Sequence, residues 1–271
     1  MHLKKMVHAW SILLIAMFMQ SQVWAAFEYQ VLGWPSAMAN IGVVGDAYPD
    51  RILVNPALIK GVVQPKFTLH YQRPFQGLDL QAGTAALLYP ILDRAYAFQV
   101  GYFGDEYYSE WRFISATSWS NTPDFRSGIS MAAFGLQAFD MPSRSALTLS
   151  ISLLSKLADR VRIGSVIQHI IQTGNSLHIP QKFQMGMQYS AGAMEVLLAF
   201  EKEASLAPEI CLGLLLTPVP GWQFALGYRD LSQIISGGWR VSMSGYSFNY
   251  TCRIHPELPI SHGLGFEVEL W

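Results

Sequence analysis

The sequence predicts an all-β protein: an antiparallel transmembrane outer-membrane β-barrel of about fourteen strands with an N-terminal hatch segment. Three observations predict it. The 271 residues are 51% hydrophobic and only 14% charged, whereas a soluble domain usually carries ~25% charged residues. The most apolar stretch after the N-terminus, 210–216, is short and is followed by Pro218 and Pro220, while a spanning helix needs ~20 residues. Segment after segment instead alternates apolar and polar residues. In lipid every backbone group must find a partner, which leaves the closed barrel. The competing fold, a soluble β-rich periplasmic domain, leaves the low charge unexplained.

The first element is an export signal over residues 1–26. Lys4 and Lys5 precede an apolar run over 12–19, and Val23 and Ala25 suit the small-residue positions before a cleavage site. The 18 Lys and Arg residues of the chain include both signal lysines, so removal leaves 16 basic against 19 acidic residues, a net charge of −3. That balance excludes a nucleic-acid partner, which calls for a basic stripe. Residues 27–64 form the second element and residues 65–271 the barrel.

Within 27–64, Asn55-Pro56-Ala57 reads as the start of a short helix. Pro56 suits a first turn, where a missing N–H costs nothing, and Asn55 suits its cap. Asp46, Asp50 and Arg51 are charges this segment can present to the barrel wall.

The strands follow near 66–74, 78–89, 95–103, 108–119, 127–138, 144–155, 159–168, 182–190, 193–202, 208–217, 221–230, 235–243, 246–254 and 260–270. Tyr246, Phe248, Tyr250, Cys252 and Ile254 alternate with Ser247, Asn249, Thr251 and Arg253. Trp222, Phe224, Leu226 and Tyr228 alternate with Gln223, Ala225 and Gly227. Turn signals divide such runs, among them Ser120-Asn121-Thr122-Pro123 and Pro218-Val219-Pro220-Gly221. Strands 127–138 and 159–168 alternate poorly, which leaves twelve strands open. An even number suits a bacterial barrel with both termini in the periplasm. Only 169–181 reads as a long outer loop. Gly83 and Pro90 are candidate weak points in the ladder.

Parity assigns sides. Cys252 faces lipid and Cys211 the lumen, so the two thiols cannot bridge. Inward parity places Arg160, Arg162, Glu195, Glu267 and Glu269 toward the periplasmic end, and Glu201, Glu209, Arg229 and Arg253 toward the outer end. Mixed signs suggest paired charges filling a narrow lumen, since a buried charge is costly unless paired. The alternatives are a polar gate and a static network. Trp111, Trp119, Trp222, Trp239 and Trp271 suit aromatic girdles. The histidines have no metal-ligand spacing; His255 and His262 flank the last outer turn and read as a loop pair. No Gly-x-Ser-x-Gly occurs. The chain is expected to be no enzyme and to carry no cofactor.

The run from Pro35 through Ala39-Asn40-Ile41-Gly42 to Gly45-Asp46-Ala47, then Asn55-Pro56-Ala57, resembles the opening of the FadL-like superfamily of outer-membrane transporters, and most of all its PorV/PorQ branch. Leu58 stands where that branch usually has Gly. At the far end Phe248-Asn249-Tyr250, His255-Pro256-Glu257-Leu258, Ser261-His262 and Gly265-Phe266 are similar to its last hairpin, with Pro259 where Gly is usual and Gly263 where Arg is common. The resemblance implies an outer-membrane location and a hatch folded into the lumen, here residues 27–64 with Asp46, Asn55, Pro56 and Ala57 as its motif. It also implies two functions. One is an accessory barrel for protein secretion or surface attachment, binding a secretion-system or surface protein. The other is passive passage of a small hydrophobic ligand. The short connections tilt the expectation toward the first. Outer-membrane lipid is the partner in either case.

Overall fold

The computed structural model describes residues 33–45, 51–52, 54–175, 177–204 and 206–270. The expected export signal, Asp46, Asp50 and Trp271 lie outside the described residues.

Two short 3-10 helices, η1 (Trp34–Met38) and η2 (Pro56–Gly61), precede fourteen strands. These are β1 (Lys66–Arg73), β2 (Gln81–Ile91), β3 (Arg94–Gly104), β4 (Tyr108–Thr122), β5 (Phe125–Ala138), β6 (Arg144–Ala158), β7 (Val161–Asn175), β8 (Lys182–Ala191), β9 (Met194–Glu203), β10 (Glu209–Val219), β11 (Trp222–Arg229), β12 (Ile235–Met243), β13 (Tyr246–Ile254) and β14 (Ser261–Glu269). Each strand pairs antiparallel with its neighbours in sequence, and β1 closes the barrel on β14, from Lys66 opposite Glu269 to Arg73 opposite His262. Closure removes the sheet edges that lipid would leave unsatisfied.

Period-two alternation becomes two faces. On β1, Thr68, His70 and Gln72 are buried, while Leu69 and Tyr71 are 53% and 49% exposed. The exposed face continues around the wall through Phe98, Phe113, Leu147, Met187, Leu198, Leu226 and Leu264, an apolar band for lipid. Cys211 is buried toward the lumen, Cys252 lies on the outer face beside Tyr250, and both are free thiols. Connections at the end shared by the chain termini are two residues long, such as 192–193, 220–221 and 244–245. At Ser244 and Gly245 φ is 50° and 83°, the doubly left-handed turn whose twist matches a two-residue hairpin. Longer loops at the other end mark it as the outer one.

Two expectations are corrected. First, 169–181 is not one long loop. β7 continues to Asn175, past a bulge where its pairing with β6 jumps from Ile167 opposite Ile151 to Ile171 opposite Leu149. His169 sits in the bulge with φ 60°, its ring nitrogen 3.0 Å from Thr148 Oγ1. The two extra residues leave Gln168 and His169 buried side by side, which breaks the alternation locally and is why the strand pattern fades there. The remaining loop turns inward: Leu177 and Ile179 are buried, and Gln172 Oε1 accepts the Ile179 N–H at 3.0 Å. Second, Gly83 and Pro90 do not interrupt the ladder. Gly83 pairs with both Tyr71 and Tyr102. Pro90 pairs with Ala95 but lies beyond the end of β1 pairing at Leu88, so its missing N–H faces no partner strand.

Trp111, Trp119 and Trp222 lie near strand ends, but Trp239 is at the middle of β12 between Phe224 and Tyr250. It packs in the lipid band, 6.3 Å from the Tyr250 ring, not in a girdle.

Candidate functional site

The lumen is filled by residues 33–45, 51–52 and 54–62, and the chain shapes itself around them. η2 starts as the sequence predicts: Asn55 Oδ1 accepts the Ala57 N–H at 2.9 Å, with Pro56 in the first turn. The same N–H reaches Ser152 Oγ of β6 at 2.9 Å. Asn55 also donates its amide to Val43 O at 2.6 Å, and Arg51 Nη1 donates to Val44 O at 2.6 Å. The cap thereby ties the two parts of this lumen segment together. Arg51 crosses so close to Gly45, which has φ 111°, that a side chain there would collide with the guanidinium.

η2 lies against β3, β4, β5 and β6. Ile52, Ile59 and Val62 are buried there with wall residues Leu88, Ala97, Ile114 and Ala132, and with Ile179 of the inturned loop. The wall is made of small residues because a helix must fit inside it. A Cβ added to Gly128 would stand 2.4 Å from Ala57 N.

η1 lies against β10, β11, β12 and β13. Trp34, Ala37, Met38 and Ile41 are buried with Leu197, Leu215 and Ala225. Here too glycines make the room: Cβ atoms on Gly227 and Gly238 would come to 2.2 Å from Ala39 N and 2.9 Å from Ala37 Cβ. Ser236 Oγ accepts the Ala39 N–H at 3.0 Å and donates to Ala37 O at 3.1 Å. Arg229 Nη1 donates to Ala39 O at 3.2 Å.

Five of the charges predicted to face inward fall in two clusters. At the outer end Arg229 binds Glu201 at 3.2 Å and also Glu209, and Lys182 binds Glu201. At the periplasmic end Glu267 meets Arg240 at 2.8 Å and Lys66 at 3.2 Å, and Lys66 meets Glu269 at 3.0 Å. This second cluster borders a polar cavity of about 410 Å³ with Gln223, Ser242 and Ser247. Glu195 accepts from Gln188 Nε2 at 2.7 Å, and Arg253 is buried near the outer end of β13. Arg160 and Arg162 are exposed at the β6–β7 turn.

Sequence reasoning missed Lys66, Lys182 and Arg240. It also missed Arg112, buried on β4 over the bare backbone of Gly101, and Glu110 two residues before it. Alternation holds a signal for them, since Arg240 follows outward Trp239. Their partners depend on cross-strand register. His255 and His262 do not meet: His255 packs edge-on to Phe75 at 5.4 Å, and His262 Nδ1 is 2.7 Å from the Tyr250 hydroxyl on the outer face. Burial, helped by nearby Arg253, lowers the pKa of His255 in its outer loop. Among the described residues no group of His, Cys, Asp or Glu is arranged to hold a metal.

No protein-family model matches the sequence, and no curated protein matches it. Solved structures do. The toluene transporter TbuX of Ralstonia pickettii superposes with a TM-score of 0.70 at 10% identity, over 90% of this chain and 100% of that one. The CymD monoaromatic hydrocarbon channel gives 0.68 at 11%, over 92% and 99%. A Pseudomonas aeruginosa FadL homologue gives 0.56 at 11%, over 88% and 96%. These likenesses show the fold, a closed fourteen-strand outer-membrane barrel like the ones in these structures.

Proposed function

We propose that this barrel passes small hydrophobic solutes across the outer membrane by diffusion, with residues 33–62 as a hatch that closes the lumen. The observation that carries this reading is the apolar lining around η2. A lumen built for ions or sugars keeps water and polar side chains in contact with its path. Here Ala86, Leu88, Ala97, Ile114, Ala132 and Phe134 line one side of it. Such a surface holds an apolar molecule by the same burial that holds the hatch, at roughly 25 cal/mol per Å². The barrels of like fold that carry toluene or monoaromatic hydrocarbons in their names support the same reading. It takes precedence over the accessory secretion role that the short connections favoured.

The wall behind this lining is thin. A groove of about 380 Å³ on the lipid face runs between Phe67, Phe98, Phe113 and Leu147 over small Ala85 and Ser115, and it touches inward Ala86 and Ile114. It lies on the stretch of β2 between Gly83 and Pro90. It is here that we place the passage of an apolar solute between lumen and membrane.

The test is uptake of radiolabelled toluene by intact cells with a lipopolysaccharide-bearing outer membrane, with and without the barrel, and with phenylalanine as a polar control. Faster uptake of toluene alone supports the reading. Rates equal to those of cells lacking the barrel, with a stoichiometric protein recovered on the tagged barrel from its own membrane, would return the accessory role to first place.

A further inference from the structure

We propose that Arg229 is a catch that holds the first half of the hatch shut, and that the β11–β12 loop at the cell surface works it. The inference rests on the hatch reading above and adds its control point.

Arg229 is the last residue of β11, at the outer end of the lumen. Its guanidinium joins three elements. Nη1 donates to Ala39 O of the hatch at 3.2 Å, and Nη2 donates to Glu201 of β9 at 3.2 Å and to Glu209 of β10. All three charged side chains are nearly enclosed, at 10 to 12% exposure. Glu209 is held from the other side by the loop. Its Oε1 accepts the Ser232 N–H at 2.9 Å and the Ser232 hydroxyl at 2.6 Å. A continuous path of hydrogen bonds thus runs from a surface loop, through Glu209 and Arg229, to one carbonyl of the hatch.

What lies at that carbonyl makes the contact consequential. Ala39 and Asn40 have φ of 55° and 59°, two successive non-glycine residues in a sparsely populated region that persists only where its surroundings enforce it. The backbone bonds from Asn40 N–H to Pro35 O and from Ile41 N–H to Met38 O close the turn, and Ser236 on the Ala39 N–H and Arg229 on the Ala39 carbonyl fasten it to the wall. The wall opposite, Gly227 and Gly238, contributes no side chain to grip the backbone. If the β11–β12 loop shifts, Ser232 leaves Glu209, Glu209 is free to turn, and the guanidinium loses the geometry that holds Ala39. η2, on the far side of the lumen, has no ion pair of this kind among the described residues and stays seated.

The test uses the full chain with Cys211→Ala and Cys252→Ala as background. Arg229→Met keeps the bulk of the stem and removes the catch. Charge-assisted hydrogen bonds of this type support roughly a tenfold or larger change in an equilibrium, so open probability in planar bilayers should rise by about that factor. Ser232→Ala should raise it less. A reversible lock separates the catch from a merely structural role. Met38→Cys with Gly213→Cys places two thiols across the η1 seat, where a Cβ on Gly213 would stand 3.4 Å from Met38 Cβ, close to disulfide spacing, and oxidation should abolish the rise that Arg229→Met causes, with reductant restoring it. A rise that persists under the oxidised lock would show that Arg229 steadies the wall and not the hatch, and would overturn the proposal. No rise in a variant that keeps heat-modifiable migration would overturn it as well. If Arg229→Met does not fold, Ser232→Ala carries the same two comparisons. Neither failure touches the hatch reading, which fails only if removing the segment leaves the barrel closed.

Discussion

The two seats of the hatch differ in how they hold. η2 is held by apolar burial against alanine, leucine and isoleucine side chains of β2 to β5, with one capped helix start. η1 is also buried, and each seat has one wall serine on a hatch N–H and bare glycine beneath it; what η1 adds is the charged Arg229 network. Apolar burial has no direction and no partner to lose, so the η2 seat is a permanent anchor. A charged hydrogen bond depends on a few atoms staying in place. The contrast teaches that one half of a plug can be fastened while the other remains releasable.

Substitutions break this contrast in graded steps. Gly128→Val should have the largest effect, because its Cβ would meet the backbone N of Ala57 at 2.4 Å and the η2 anchor has no way to yield. Overpacking of this kind costs ~1–3 kcal/mol, and resting conductance should rise most here. Gly227→Val should follow. It meets Ala39 N at 2.2 Å but displaces only the releasable half, so the open state should be narrower, as polymer exclusion from the pore can measure. Asn55→Ala removes a cap worth ~1 kcal/mol and the bond to Val43 that joins the halves; it should loosen both seats slightly, read as more frequent brief openings. Arg160→Ala and Arg162→Ala should be smallest. Both residues are exposed at the periplasmic rim, where substitutions usually stay within ~0.5 kcal/mol, so thermal unfolding and conductance should not change measurably.

Much of this was legible in the sequence, and for a physical reason. Strand count, sidedness of Cys211 and Cys252, and the Asn55 cap are local patterns, written in neighbouring residues. The bulge at His169 inserts two residues and buries Gln168 and His169 side by side, so the pattern breaks and the end of β7 was lost as a strand. β5 reads weakly because Gly128, Ala132, Ala133 and Gly135 put small residues on both faces. Charge pairing is not local at all. Arg240 and Glu267 meet at 2.8 Å across β13 only because turns and barrel closure set the register. Sequence parity showed which of the named charges sit on inward positions; it had no means of showing which cations complete them. The glycines that seat the hatch look, in one dimension, like weak points of strands. Only the enclosed segment explains why Gly128, Gly227 and Gly238 stand where they do.

The central claim is that the N-terminal segment, and not the wall, closes the lumen. The most direct measurement is single-channel conductance in planar bilayers of the intact barrel and of a barrel lacking residues 27–64. Fourteen strands enclose more space than the wall side chains fill, since diameter grows with strand number. The account predicts that the intact barrel is nearly closed and that the truncated one, still heat-modifiable on a detergent gel, conducts strongly and steadily. Equal, low conductance from the two barrels would contradict it, and would leave wall residues such as Arg229, Arg253 and Glu267 as the true closure.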